Sequence, residues 1–207
     1  SELMDTSSEE ETKSIQDVRD IIDYDRLFLN EKRTCPSREQ QRPQLLYIDS
    51  LTNVYNRRYY DEFFQGADDI QAMAVIDVDD FKHINDNYGH DTGDIVLQSI
   101  ARTVLSCMRK TDAVVRYGGD EFVIVFYNIP ADVFEKKLEK IRYSIDSLII
   151  NGPPELHMSV SIGGAYGIGT AKKLFKVADD MMYQSKNTKN KVTVCFRNEK
   201  AGGTDNI

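Results

Sequence analysis

The apolar positions of the chain change their period from segment to segment. Ala74-Val75-Ile76 runs straight into Asp77-Val78-Asp79, and Val123–Phe126 is apolar throughout. Short continuous runs of this kind read as buried strands. They predict strands over Met73–Val78, Ala113–Tyr117, Phe122–Phe126, Met158–Gly164 and Val192–Phe196. Between them the apolar spacing lengthens to three and four residues. That predicts helices over Arg57–Gln65, Phe81–Asn87, Ile95–Arg109, Ala131–Ile150 and Ala171–Ser185. Helices alternating with strands around a hairpin give an α/β (α+β) three-layer domain with a central sheet. No internal repeat is apparent.

The pattern is different ahead of this domain. Residues 1–11 are polar and acidic without periodicity, which predicts disorder. Ser14–Leu29 predicts a helix: Ser14 and Asp17 have capping-box spacing, and Ile15, Val18 and Ile22 form a stripe. Pro36, Pro43 and a Gln/Arg-rich stretch make 33–44 a linker. The expected division is an acidic extension over 1–44, a globular domain over 45–197 and a flexible tail over 198–207.

Charge sharpens this division. The net charge is −8, of which residues 1–31 carry −7, leaving the rest near neutrality. An acidic chain is unsuited to nucleic-acid polymers. A nucleoside triphosphate remains open, since a divalent cation and a few lysines meet its charge. No apolar run reaches the roughly 20 residues of a membrane span, and the N-terminus lacks the basic-then-apolar order of a signal peptide. Cys35, Cys107 and Cys195 form no CxxC pair and fit reduced thiols in a cytoplasmic protein, Cys195 as core packing.

The chemistry concentrates in two segments. Arg116-Tyr-Gly-Gly-Asp-Glu-Phe122 lies between apolar runs and reads as a hairpin tip. Gly118 and Gly119 leave room for a ligand beside the adjacent carboxylates Asp120 and Glu121, which suit Mg²⁺. Taken alone, this is also ordinary turn chemistry. The second segment is the run from Asp77 to Asp94, with Lys82, Asn85 and His90 between them. It is not a calcium loop, because Lys82 stands where the sixth position requires glycine.

Four motifs, in order, resemble the GGDEF family, the diguanylate cyclases of bacterial cyclic di-GMP signalling. They are Asp49-Ser-Leu-Thr-Asn-Val-Tyr-Asn-Arg-Arg58, the Asp77–Asp94 run, Arg116–Phe122, and Ala178-Asp-Asp-Met-Met-Tyr-Gln-Ser-Lys186. The resemblance implies a mixed central sheet similar to polymerase palm and nucleotidyl cyclase domains. It implies Asp77, the Val78 carbonyl, Asp120 and Glu121 as ligands for two Mg²⁺ per half-site, with Mn²⁺ as a substitute. Asp120 and Glu121 are the implied catalytic pair. Asn85, His90, Asp94, Lys82, Gly118, Gly119 and Lys186 are the implied GTP contacts, Asn85 and Asp94 reading guanine. Arg109 and Asp112 match an RxxD inhibitory site for cyclic di-GMP, five residues before Gly118.

Each of these residues also has a plainer reading. Asp79 and Asp80 are placed to cap the helix from Phe81, Asp94 to cap one from Ile95, and Arg109 to end that helix. His90 reads as a loop histidine, and Lys82 and Lys186 as solvated charges. Two positions depart from the family pattern. Asn53 replaces a glycine, which asparagine's tolerance of left-handed angles permits. Asn190 replaces a phosphate-binding arginine, leaving Lys189 or Lys191 to supply the charge without a guanidinium fork.

The expected function is condensation of two GTP into cyclic di-GMP by a homodimer, with product feedback. The alternative is a non-catalytic GGDEF module that binds GTP or cyclic di-GMP and signals through protein contacts. A third reading is an unrelated nucleotide-binding or interaction domain of palm-like shape. The start without Met and the acidic extension suggest a cytosolic piece of a longer regulator.

Overall fold

The structure is a computed structural model and describes residues 46–150 and 156–196. The helix expected over Ser14–Leu29, the linker and Cys35 lie outside the described residues. In chain order the strands are β1 (Tyr55–Asn56), β2 (Ile70–Val78), β3 (Ala113–Arg116), β4 (Glu121–Phe126), β5 (Ile149–Ile150), β6 (Leu156–His157), β7 (Val160–Gly169) and β8 (Lys191–Phe196). The helices are α1 (Arg57–Tyr59, continuing as a π-helical turn over Tyr60–Phe64), α2 (Phe81–Tyr88), α3 (His90–Ser106), α4 (Ala131–Asp146) and α5 (Ala171–Lys186).

Six strands form one mixed sheet in the order β1-β3-β4-β2-β7-β8, and β5 and β6 pair separately. β2 is antiparallel to both its neighbours, β4 and β7. β1 runs parallel to β3, and β8 parallel to β7 through the crossover helix α5. The fold is therefore α+β with a mixed central sheet, as expected. β2 is buried on both faces, which is why its sequence shows a continuous apolar run rather than alternation. On one face Ala72, Ala74 and Ile76 join Val96, Leu97 and Ile100 of α3 and Phe134, Leu138 and Ile141 of α4 in the main core. α5 lies on the other face. A Cβ on Gly163 of β7 would collide with the α5 backbone at Ala178 and Met182, so this glycine sets how closely α5 approaches the sheet.

Several boundaries differ from the sequence expectation. α3 begins at His90 rather than Ile95 and ends at Ser106 rather than Arg109. Asp94 is thus inside the helix, not its cap, and Arg109 lies in the turn beyond it. The polar run His90–Asp94 has weak helix propensity, but packing against α2 overrides it. Gly89, at φ 86°, turns the chain sharply between the two helices. The expected helix over Ala131–Ile150 stops at Asp146, and Ile149–Ile150 instead pairs with Leu156–His157. β2 and β7 are each longer than expected. Cys195 is only half-buried in β8, at the sheet edge. Asn53 has φ 57°, the left-handed angle its place in a glycine position requires.

Candidate active site

The hairpin tip sits beside the end of β2 because the ladder places it there. Asp77 pairs in register with Glu121, and Val78 N–H donates to the Asp120 carbonyl at 3.1 Å. Asp77, Val78, Asp120 and Glu121 therefore converge from two adjacent strands. The last residue of α5 completes the group: Lys186 Nζ lies 2.7 Å from Asp77 Oδ1. The ammonium thereby pairs with a carboxylate oxygen that is buried and has no other partner among the described residues.

The electrostatics follow from this crowding. Burial pushes the Asp77 carboxyl up to about 6, with Asp120 and Glu121 adding to the rise and Lys186 opposing it. Glu121 is also raised, by burial first and then by Asp120 and Asp179. Burial works to lower the Lys186 pKa, but the Asp77 carboxylate beside it, with Asp120 and Glu121, outweighs this and raises it. Among the described residues no three carboxylate, imidazole or thiol groups form a ready-made metal cage. Mg²⁺ does not require one, since it binds through one or two carboxylates and keeps the rest of its shell for water and phosphate. The buried Asp77 carboxylate, and the pKa values of Asp77 and Glu121 raised by burial and neighbouring acids, fit such an ion.

Gly118 has a steric role at the tip. A Cβ there would stand 2.7 Å from Glu121 Oε2, so the glycine makes room for the glutamate. A Cβ on Gly119 would meet nothing within 4 Å, which leaves that side of the turn open. The tip is anchored by a residue the sequence reading did not single out. Arg116 donates to the Gly119 carbonyl from Nη2 at 2.8 Å and to Asp49 Oδ1 from Nη1 at 3.1 Å. Asp49 also accepts from the Thr52 hydroxyl at 2.7 Å and the Thr52 N–H at 2.9 Å. Burial would raise the Asp49 pKa, but the hydrogen bonds from Thr52 and Arg116 and the guanidinium charge hold it below the usual carboxylate value.

The expected guanine contacts lie on α2 and α3. Asn85 is half-buried, and a Cβ on Gly93 of α3 would run into its Oδ1. Gly93 is thus the reason the two helices approach closely enough to seat Asn85 against α3. A glycine inside a helical run is the sequence signal that could have found it. His90 and Asp94 are exposed, four residues apart on one face of α3, and Lys82 is exposed on α2.

Asp79 and Asp80 do not cap α2. Asp79 is buried and accepts from Ser159 Oγ and Ser161 Oγ at 2.6 Å each and from Asn190 N–H at 2.8 Å. Asp80 has a left-handed φ of 53°, which turns its carboxylate off its own helix. Arg109 and Asp112 lie apart from the expected metal carboxylates in the fold, in the α3–β3 turn. Asp112 is buried, and its Oδ2 accepts the Arg109 N–H at 2.9 Å and stands 3.6 Å from Lys137 Nζ. The exposed Arg109 guanidinium donates to the Asn128 carbonyl at 3.2 Å.

A mixed sheet with carboxylates from adjacent strands, a lysine on the opposing helix and an open glycine turn defines the class of the domain. Residues 46–192 match the family model described as "Diguanylate cyclase, GGDEF domain", and the chain belongs to that family. It is 38% identical over 157 residues to diguanylate cyclase DgcM of Escherichia coli K12, covering 72% of this chain and 38% of DgcM. It is also 38% identical over 133 residues to diguanylate cyclase A of Treponema denticola, covering 61% of this chain and 36% of the relative. The chain thus spans well under half the length of these relatives. The GGDEF domain of DgcB from Caulobacter crescentus, solved in complex with c-di-GMP, superposes with a TM-score of 0.67 at 28% identity, over 78% of this chain and 98% of that domain. No helix among the described residues is long and apolar enough to cross a membrane.

Proposed function

We propose that this domain is a diguanylate cyclase that condenses two GTP molecules into cyclic di-GMP with release of two pyrophosphates. The observation that carries this reading is the convergence of Asp77, Asp120 and Glu121 at the end of β2, with Lys186 on Asp77. Asp77, the Val78 carbonyl, Asp120 and Glu121 are the groups that would hold Mg²⁺, which when bound neutralises charge on the reacting phosphates. Each 3′-hydroxyl oxygen forms a bond to the other nucleotide's α-phosphorus, and the bond from that phosphorus to the bridging β-phosphate oxygen breaks. Glu121, with its raised pKa, is suited to take the hydroxyl proton. Asn85 and Asp94 hold the guanine edge, where an amide both donates and accepts and a carboxylate accepts from N1 and N2. Lys82 and Lys186 offset triphosphate charge. One chain offers one half-site, so turnover takes place in a homodimer.

Incubation of the protein with GTP and Mg²⁺, followed by chromatography of the products, is the test. Cyclic di-GMP and pyrophosphate are the expected products. GTP binding without turnover would replace this reading with that of a binding module, and absence of binding would remove the nucleotide altogether.

A further inference from the structure

Asp80 follows Asp77 by three residues and Lys189 follows Lys186 by three, and the two pairs Lys186–Asp77 and Lys189–Asp80 stand in succession outward from the proposed metal carboxylates. The Lys186 ammonium is already set against Asp77. The next cation along the chain is Lys189, whose Nζ donates to Asp80 Oδ1 at 2.7 Å and to Oδ2 at 2.8 Å. Asn190, which stands where the sequence pattern leads one to expect an arginine, is engaged elsewhere. Its Oδ1 accepts from Arg142 Nη1 at 2.8 Å, and its Nδ2 donates to Asp146 Oδ1 at 2.9 Å. Both partners are on α4, so the asparagine side chain serves the fold.

We propose that Lys189 is a triphosphate contact of this chain, and that Asp80 holds it as an exchangeable latch. This inference rests on the GTP reading above. Three observations support it. First, the backbone turn that carries Lys189 against Asp80 is held in an uncommon conformation. Lys189 and Asn190 have φ 59° and 44°, left-handed angles that asparagine tolerates and lysine rarely adopts. The turn is fastened by Lys189 N–H to the Ser185 carbonyl at 2.9 Å and by Asn190 N–H to the buried Asp79 at 2.8 Å. Strained angles persist where surrounding contacts over-determine them.

Second, Asp80 gives up a helix cap to make the pair. It occupies the N-cap position of α2, its left-handed φ withdraws its side chain, and no side-chain hydrogen bond caps the helix. The first-turn N–H groups of α2 thereby have no side-chain cap from Asp80 and can serve an anion. Third, the pair is built to exchange. Both side chains are more than half exposed, at 52% and 56%, and an exposed ion pair contributes little to stability. Asp80 also lines an open cleft of about 290 Å³ with His83, Tyr88 and Ser159. A phosphate that takes Lys189 trades one anion for another and gains the α2 N–H groups.

Calorimetric titration of GTP with Mg²⁺ into the wild type, Lys189→Ala, Asp80→Asn, the double variant and Lys191→Ala is the test. Lys189→Ala is expected to weaken GTP about tenfold or more, the usual effect of losing a charge-assisted hydrogen bond. Asp80→Asn is expected to tighten GTP several-fold, but only while Lys189 is present. Lys191, which forms no ion pair among the described residues, is expected to be neutral. Unchanged affinity in Lys189→Ala would overturn the contact. Equal tightening by Asp80→Asn with and without Lys189 would overturn the latch and leave a long-range charge effect. A wild type that binds no GTP would instead overturn the nucleotide reading, and this inference with it.

Discussion

Asp49 and Arg116 stand 67 residues apart in sequence and 3.1 Å apart in space. Their contact ties the segment before β1 to the hairpin tip, because Arg116 also holds the Gly119 carbonyl. The pair is largely buried, with side-chain exposures of 17% and 22%. The ladder sets Glu121 opposite Asp77, and this tie adds a second hold on the turn at Gly119.

Arg116→Lys should therefore lower turnover while leaving the core intact. Lysine keeps the charge but cannot span Asp49 and the Gly119 carbonyl with one planar fork. Loss of the charge-assisted bonds should cost roughly 1–3 kcal/mol, read as a fall in Tm. Normal turnover and Tm in Arg116→Lys would show that the hairpin stands without the tie.

Asp49 and Asp77 should respond to pH with opposite signs. The Asp49 pKa is depressed in the fold, so its contribution is present above the unfolded value of 3.8 and is lost as pH falls through the lower folded value. Asp49→Asn should lower Tm at pH 7, and the deficit should shrink in acid. Asp77 is raised from 3.8 to about 6, so its contribution is present below 3.8 and is lost as pH rises through 6. Asp77→Asn should raise the Tm of the metal-free protein at pH 7, with the gain fading toward pH 4, and should abolish turnover. Mg²⁺ should stabilise the wild type but not Asp77→Asn. Thermal melts across pH, with and without Mg²⁺, read all of these; equal stabilisation by Mg²⁺ in both proteins would remove Asp77 from the metal site.

Gly93→Ala should act on guanine without touching it. The added methyl would displace Asn85 Oδ1 and push α2 from α3. GTP affinity should fall by the same order as in Asn85→Ala, about 1–3 kcal/mol, while ATP affinity changes little. Equal losses for the two nucleotides would point to a damaged helix pair rather than a lost base contact.

Arg109→Ala should remove binding of cyclic di-GMP measured in a background carrying Asp77→Asn and Asp120→Asn. The Arg109 guanidinium is exposed, and among the described residues it donates to a backbone carbonyl alone, which leaves its fork available to a phosphate. Asp112 has a different place: it is buried and closes the turn. Asp112→Ala should accordingly lower Tm as well as affinity. Calorimetric titration is the measurement, and undiminished affinity in Arg109→Ala would reduce the RxxD match to a turn.

The linear chain by itself determined the alternation of strands and helices, the hairpin, the carboxylates at its tip and at the end of β2, and the family. These are local properties, written in apolar period, turn residues and short motifs. Tertiary structure decided what those residues face. Asp79 and Asp80 look alike in sequence, yet one is a buried acceptor for Ser159, Ser161 and Asn190 and the other an exposed partner of Lys189. The difference is one left-handed backbone angle at Asp80, which no period of apolar residues encodes. α3 begins five residues earlier than its sequence suggests because Gly93 must pack on Asn85. Arg116 found Asp49, and Lys186 found Asp77, because sheet order brings distant segments together. Long-range pairing of this kind depends on which strands become neighbours, and that is settled by burial of the whole core rather than by any segment's own composition.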